Sequence, residues 1–410
     1  GAAPERGAAA AEQQEEALPP WPPPELPPAP LSVLEAVLSP ADVAAALAAA
    51  RALAPKFNTE DADSVDLEPS YELHILEAGR WLPGVEPLRA ALARPLDELL
   101  QRARAWHRER VGAGCGRGPL GISQALVRRY AVGERRSHPV HYDQHALVTA
   151  VCSLTPPRAD SGLFVQRGAN LLDREFVPLG SAGSFAVHGS DLLHGVDVRG
   201  EEERFSLIVW FKPEGDVQSD GTSWYEALAA AGNAHAQFRL GWGLEQEGRE
   251  EQAQAWYLKA ARQGHFTAMR IVGMHLWDRS GAEAGLPWLW ASASCGFAAA
   301  QVDLGDLLSG GGPPQPPPAL GSEAAELYKA AAEQGHEPAR HRWARVLLAA
   351  GEHEAGLELL RAAAAQGLDQ AQADLGRWLQ LAGEEEEAQE WLLRAAAQGH
   401  AGARARLAEA

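Results

Sequence analysis

Residues 141–143 read His-Tyr-Asp, a second histidine stands at His194, and Arg204 follows ten residues later. Two histidines and one carboxylate form the donor set that holds a non-haem Fe(II) while leaving half of an octahedron open. A 2-oxo acid can occupy two of the open positions through its carboxylate and keto oxygens, with dioxygen in the third. A guanidinium pairs bidentately with a carboxylate, so Arg204 suits the distal end of 2-oxoglutarate. Ser206 lies two residues further on, on the same face of a strand, and adds a hydroxyl. The chemistry these residues would support is the oxidation of an unactivated C–H bond.

Such a set converges only if strands position it. Alternate side chains of a strand share a face, which predicts His141 and Asp143 pointing together into a barrel interior. His194 would return beside them several strands later, and a turn over residues 199–203 would place Arg204 on the following strand. His138, His145 and His188 are competing ligands. His145 shares the expected strand phase, so a hydrolytic zinc site is an alternative, but it leaves Arg204 without a role. His188 lacks the ten-residue offset to a cation and reads as a hydrogen-bonded core or pocket-rim histidine.

The elements around these residues follow from composition shifts. Residues 1–30 are Ala/Glu-rich and then Pro-rich, a disordered arm unable to bury much surface. Ordered structure is expected from Leu31. Ser39-Pro40-Ala41-Asp42 is a helix start, with Ser39 as N-cap and Asp42 in the first turn, opening a helix to about Leu53. A second helix is expected from Pro95, at its start, to Arg110. Arg102, Arg104, Arg108 and Arg110 then form a basic cluster on a solvated helix face. From about residue 125, short runs over 127–132, 146–154, 162–166, 184–188 and 205–211 are rich in β-branched and aromatic residues between Gly and Pro. They predict many short strands in a sandwich or barrel.

Beyond a linker at 215–220, Gly232, Gly264, Gly296, Gly335, Gly367 and Gly399 recur at intervals of 32, 32, 39, 32 and 32. Trp224, Trp256, Trp288, Leu327, Leu359 and Trp391 keep the same spacing, and so do Gly241, Gly273, Gly305, Ala344 and Gly376. Three series in one register define a helical repeat over 221–410. The longer interval coincides with a Gly/Pro-rich insertion at 309–321. Each unit reads as two alanine-rich helices, closely approaching at the small position. The glycine ending Ala-Ala-x-Gln-Gly serves as a C-cap, and the Trp/Leu series is expected to be core.

Two resemblances carry these readings further. The repeats, with Gly241 and the run Trp256-Tyr257-Leu258-Lys259-Ala260-Ala261-Arg262-Gln263-Gly264-His265, resemble Sel-one-like repeats of the tetratricopeptide superfamily, though most units are shorter in the loop between helices. Residues 31–214 resemble the 2-oxoglutarate/Fe(II) dioxygenases of the prolyl 4-hydroxylase-like branch, through 127–143, 161–165, 180–195 and 204–211. That resemblance implies a double-stranded β-helix (jelly roll) with flanking N-terminal helices. It also implies Fe(II), 2-oxoglutarate, dioxygen and usually ascorbate, with peptidyl proline as the acceptor. By position, Tyr130 matches a tyrosine that helps hold 2-oxoglutarate in the branch. The chain departs where collagen-type enzymes carry lysine and this one has Arg204, and where Glu202 replaces a usual glycine. The fold class expected for the whole chain is multidomain α+β, a jelly roll followed by an all-α helical-repeat solenoid.

The formal net charge is −19, with 55 acidic against 36 basic residues. Such a chain is a poor electrostatic match for nucleic acid or anionic membrane, and no apolar run is long enough to span a bilayer. The expected partners are a protein or peptide substrate and a protein bound by the repeats. An interaction scaffold with an inactive or sensing dioxygenase-like domain is the alternative function. Cys115, Cys152 and Cys295 are few and scattered, with no metal-type pair. They favour a reducing compartment such as the cytoplasm, and Cys152 reads as a buried small hydrophobe. A trimmed signal before Gly1 would instead admit the endoplasmic reticulum.

Overall fold

The β-rich texture folds as two antiparallel sheets. The computed structural model describes residues 19–20, 22–24, 29–57, 71–111, 118–134, 136–219, 222–310 and 316–409. Most of the N-terminal arm, Cys115, the end of the 215–220 stretch and the middle of the 309–321 insertion lie outside the described residues. By contacts the described residues form two units, one made of 26–167 with 173–260 and the other of 168–172 with 261–410.

In the first unit the strands are β1 (Leu31–Leu34), β2 (Glu72–Glu77), β3 (Arg80–Trp81), β4 (Leu120–Tyr130), β5 (Ser137–His141), β6 (Val148–Ser153), β7 (Gly162–Gln166), β8 (Arg174–Phe176), β9 (Phe185–Gly189), β10 (His194–Asp197) and β11 (Arg204–Pro213). The larger sheet has the order β1-β9-β6-β11-β4-β2-β3 and the smaller β5-β10-β7-β8. From β4 to β7 and again from β9 to β11 the chain alternates between the sheets, as a double-stranded β-helix requires. The multidomain α+β architecture expected from the sequence is present.

Strand parity decides what faces the site. On β11, Phe205, Leu207, Val209 and Phe211 enter the main core with Leu88, Leu92 and Leu99 of a long helix, whereas Arg204, Ser206, Ile208 and Trp210 have the opposite parity. Between the sheets lie Val151, Leu163, Val165 and Ala186, with Ile208 packed against them. Helix α1 (Pro40–Leu53) starts as expected: Ser39 Oγ accepts from the Asp42 amide at 3.2 Å and Asp42 Oδ2 accepts from the Ser39 amide at 3.0 Å. Helix α2 runs over Glu86–Val111, so Pro95 lies inside it rather than at its start. The start is provided upstream, where Gly84 has φ +82° and its amide donates to Glu86 Oε1. In the basic cluster, Arg102 and Arg104 donate to the carbonyls of Glu35 and Leu120, and Arg108 and Arg110 are exposed. The cluster is thus a solvated face in half of its members.

The helical repeats comprise α3 (Trp224–Ala230), α4 (Ala234–Gln246), α5 (Glu250–Arg262), α6 (Phe266–Ser280), α7 (Ala282–Ser294), α8 (Ala298–Leu308), α9 (Glu323–Glu333), α10 (Glu337–Ala349), α11 (His353–Ala365), α12 (Asp369–Ala382), α13 (Glu385–Ala397) and α14 (Ala401–Glu409). Helices α3, α4 and α5 as far as Ala260 belong to the first unit and the rest to the second. The close approach at the small series is real. A Cβ at Gly241 would meet the Tyr257 ring at 2.7 Å, at Gly305 the Tyr328 ring at 2.6 Å, and at Gly376 Leu392 Cγ at 2.7 Å. The fully buried series lies one residue beyond the one expected: Tyr257, Leu289, Tyr328, Leu360 and Leu392 are at most 2% exposed. Trp224 and Trp288 are buried as expected, while Trp256, Leu327, Leu359 and Trp391 are half-buried beside the core. No helix among the described residues is long and apolar enough to cross a membrane.

Candidate metal centre

His141 ends β5 and His194 opens β10, and the two are direct partners in the antiparallel register of the smaller sheet. Asp143 is not in the strand. The chain leaves β5 after His141, and a turn brings the carboxylate back towards the rings. One ligand atom from each of His141, Asp143 and His194 lies within 4.8 Å of the others. His141 Nε2 is 3.5 Å from Asp143 Oδ1, and His194 Nε2 is 3.4 Å from Asp143 Oδ2.

Backbone carbonyls fix both imidazoles. His141 Nδ1 is 2.9 Å from the Pro139 carbonyl and His194 Nδ1 is 3.1 Å from the Leu192 carbonyl. Each Nδ1 donates its proton there, which turns each Nε2, the atom that would bind a metal once it is deprotonated, towards the carboxylate. Thr149 Oγ1 on β6 donates to Asp143 Oδ2 at 2.6 Å, orienting the third candidate ligand.

Burial tends to raise the Asp143 pKa, but the charges of His194, His141 and His188 and a hydrogen bond from His141 outweigh it and hold the group well below the usual range. Burial drives His194 well below its ordinary value, and the neighbouring His188 acts in the same direction. His141 moves the other way. Burial lowers it, yet the hydrogen bond and charge of Asp143 raise it overall. Two imidazole nitrogens and a carboxylate converging within 4.8 Å are donors of the kind that divalent transition metals take. The donor set therefore fits a divalent transition metal.

The competing histidines separate clearly. His188 is fully buried, with Nδ1 2.9 Å from the Gly189 carbonyl and its ring 4.4 Å from that of His194. The core reading of His188 is correct. The His138 ring packs against that of His141 at 4.4 Å, with 52° between the planes. His145 sits in the turn after Asp143 and packs on Trp210 at 4.9 Å, so the strand phase that made it a competitor does not exist. Cys152 is fully buried, and burial pushes its thiol up to about 12.

The larger sheet supplies the other wall. Arg128, Tyr130, Thr149, Ser206 and Trp210 line one cavity with the three candidate ligands, closed by Val151, Leu163, Val196 and Ile208. Register places Tyr130 opposite Arg204 and Arg128 opposite Ser206. Arg204 is 6% exposed and donates from Nε to Ser206 Oγ at 3.2 Å. Its guanidinium lies against Gly162, where φ is +115° and a Cβ would meet Nη1 at 2.4 Å. The two arginines differ in partners. Arg128 is ion-paired to Glu72 at 2.6 Å, whereas among the described residues Arg204 forms no ion pair with a carboxylate. A buried cation with no acid partner is costly unless an anion joins it, so the residues fit an acidic co-substrate. Tyr130 and Ser206 thus line the cavity of the three candidate ligands, and Arg204 is tied to it through Ser206 Oγ and its register with Tyr130.

Other contributors were not found in the sequence. Thr149 and Trp210 lie on strands recognised only as core, and the Trp210 indole N–H faces no acceptor among the described residues. Tyr142, between two of the ligands, stacks on His235 of α4 at 4.1 Å. Asn233, the N-cap of α4, donates to Asp191 Oδ2 at 2.9 Å, in the loop leading to His194. Tyr225 of α3 donates to the Gln144 carbonyl at 3.3 Å. The first helices after the β-structure thus hold both loops that carry candidate ligands.

No family model and no curated protein matches the chain. Solved structures similar to it include a protective antigen of uropathogenic Escherichia coli with an SLR fold, at 27% identity and a TM-score of 0.38. That match covers 45% of this chain and 42% of the antigen, less than half of its length. A Sel1 repeat protein from Oxalobacter formigenes is 27% identical, with a TM-score of 0.35, over 42% of this chain and 74% of its own. A viral collagen prolyl hydroxylase from Paramecium Bursaria Chlorella virus-1 is 14% identical, with a TM-score of 0.31, over 45% and 95%. The solved structures similar to this chain thus include both Sel1 repeat proteins and 2-oxoglutarate/Fe(II) oxygenases.

Proposed function

We propose that this protein is an Fe(II)- and 2-oxoglutarate-dependent dioxygenase that hydroxylates a protein side chain, with peptidyl proline as the acceptor and the repeats as the protein-binding part. One juxtaposition carries the reading: a two-histidine, one-carboxylate cluster shares a β-sandwich interior with a buried arginine that has no acid partner among the described residues. His141, Asp143 and His194 would hold the metal. Arg204, with Ser206 and Tyr130, would take the distal carboxylate of 2-oxoglutarate. When bound, the iron supplies dioxygen activation coupled to oxidative decarboxylation of the co-substrate, with ascorbate keeping it reduced.

The chain's own residues do the positioning. Thr149 holds the Asp143 carboxylate, the Pro139 and Leu192 carbonyls aim the two Nε2 atoms, and Val151, Leu163, Val196 and Ile208 keep water from the reacting centre. The prolyl and ascorbate parts rest on the sequence resemblance of residues 31–214. The test is succinate formation from 2-oxoglutarate by the purified full chain with Fe(II), abolished by Asp143→Ala. Absence of metal-dependent succinate, together with no charge-transfer absorption of the anaerobic mixture, overturns the reading. Mass spectrometry of proline-containing peptides after turnover tests the acceptor, and unmodified proline would remove that part alone.

A further inference from the structure

We infer that the C-terminal repeats carry a binding groove for a short acidic segment of a partner protein. A cavity of ≈ 430 Å³ is lined by His341 and Arg345 of α10, Asp374 and Arg377 of α12, and His400 and Arg406 at and within α14. That volume lies in the ligand-pocket range of roughly 300–1,000 Å³. Three arginines and two histidines thus face one carboxylate, in a chain whose net charge is −19.

The earlier rungs of the same helix series are balanced. Arg270 of α6 pairs with Asp303 of α8, and Arg342 of α10 pairs with Asp306 of α8. At Asp374 the balance ends. His341 Nε2 lies 2.9 Å from it, Arg377 Nη2 3.1 Å and Arg345 Nε 3.6 Å, so one carboxylate is shared by two guanidiniums and an imidazole. Arg406 adds a third guanidinium to the lining. Arg345 and Arg377 stand 32 residues apart, at one repeat position, where earlier units carry Trp242, Met274 and Asp306. The cationic excess therefore belongs to the last repeats.

Arginine pairs with carboxylates in a planar, bidentate manner, and partial burial reduces salt screening of such a pair. Nucleic acid or anionic membrane would demand a long cationic track, which a chain this acidic does not offer. Asp and Glu side chains match the groove in charge.

This proposal is independent of the metal centre, and its test needs neither metal nor turnover. Fluorescence anisotropy of a labelled Glu-rich peptide with the full chain should show saturable binding that weakens with salt, while the Gln counterpart binds much less. Arg377→Gln should weaken binding about tenfold, the loss of one charge-assisted contact, and Arg377→Lys less. Arg406 is exposed at the groove, so Arg406→Gln gives a second variant that leaves folding intact. No binding, equal binding of the Glu and Gln peptides, or affinity unchanged in both Gln variants with unaltered thermal melts overturns the proposal.

Discussion

The imidazole of His235 lies 4.1 Å from the Tyr142 ring, centroid to centroid, with 30° between the planes. Tyr142 separates His141 from Asp143, so a helix of the first repeat bears directly on the loop that presents two candidate ligands. Asn233, two residues before His235, binds the Asp191 loop that leads to the third. Groups that orient ligands from outside typically affect metal affinity by about 10–100-fold when removed. His235→Ala is expected to weaken Co(II) binding at least about tenfold, and His235→Phe, which keeps a stacking ring, to restore most of it. Titration of the metal-free protein followed by the cobalt absorption bands measures this. Equal affinities of wild type and His235→Ala at unchanged secondary structure would refute the role.

Arg204 is the residue whose removal should separate function from stability. Its guanidinium is buried without an acid partner among the described residues, and burial lowers its pKa. Such a charge costs stability in the empty protein. Arg204→Met is therefore expected to leave the melting temperature unchanged or raised while increasing the KM for 2-oxoglutarate more than about tenfold. Gly162→Ala should raise the same KM, because a Cβ there occupies the guanidinium's position and the backbone is held at φ +115°. Steady-state kinetics with varied 2-oxoglutarate, beside differential scanning calorimetry, decides both.

Much of the centre was legible because its residue types are restrictive, not because the local geometry was foreseen. His141, Asp143 and His194 do converge, yet the strand-phase argument for Asp143 fails: β5 ends at His141, and a turn does what alternation was expected to do. The Arg204–Ser206 relation was legible, since both lie on one strand and parity alone fixes their shared face. The contacts of His235 and Asn233 with the ligand loops were not, because residues that meet across the fold leave no local spacing to read. Pro95 misled for a different reason. A proline favours a helix start but is tolerated inside a long helix whose other contacts hold it. The repeat core lies one residue beyond the Trp/Leu series because the Tyr/Leu positions are the ones that face the glycines across the helix pair, a relation that spacing along the chain does not reveal.

Glu72 should govern part of the acid sensitivity of the β-structure. Burial tends to raise its pKa, but His74 and the Arg128 guanidinium outweigh this and bring it from 4.5 to about 2. A depressed carboxylate contributes stability above its unfolded pKa and loses it as the pH falls through the folded value. The contribution is then complete above about pH 4.5 and lost towards pH 2, worth roughly 1–3 kcal/mol. Glu72→Gln is expected to lower stability at neutral pH and to flatten its decline over that window. Urea unfolding at a series of pH values checks it, and parallel pH profiles for wild type and variant would exclude the assignment.

Gly241 and Gly243, two residues apart on α4, should respond oppositely to the same substitution. Alanine in a helix is intrinsically more favourable than glycine by about 1 kcal/mol. At Gly243 nothing lies within 4 Å of a new Cβ, so Gly243→Ala should gain most of that amount. At Gly241 the Cβ would come within 2.7 Å of the Tyr257 ring and 3.1 Å of the Ala253 carbonyl. Tyr257 is fully buried, and its hydroxyl is tied to Glu245 at 2.7 Å, so the ring has little room to withdraw. Overpacking of this kind costs about 1–3 kcal/mol, more than the helix gain. Gly241→Ala is therefore expected to lower the melting temperature and Gly243→Ala to raise it. Because α4 also carries His235, the Gly241→Ala variant should lose cobalt affinity as well, whereas Gly243→Ala should keep it.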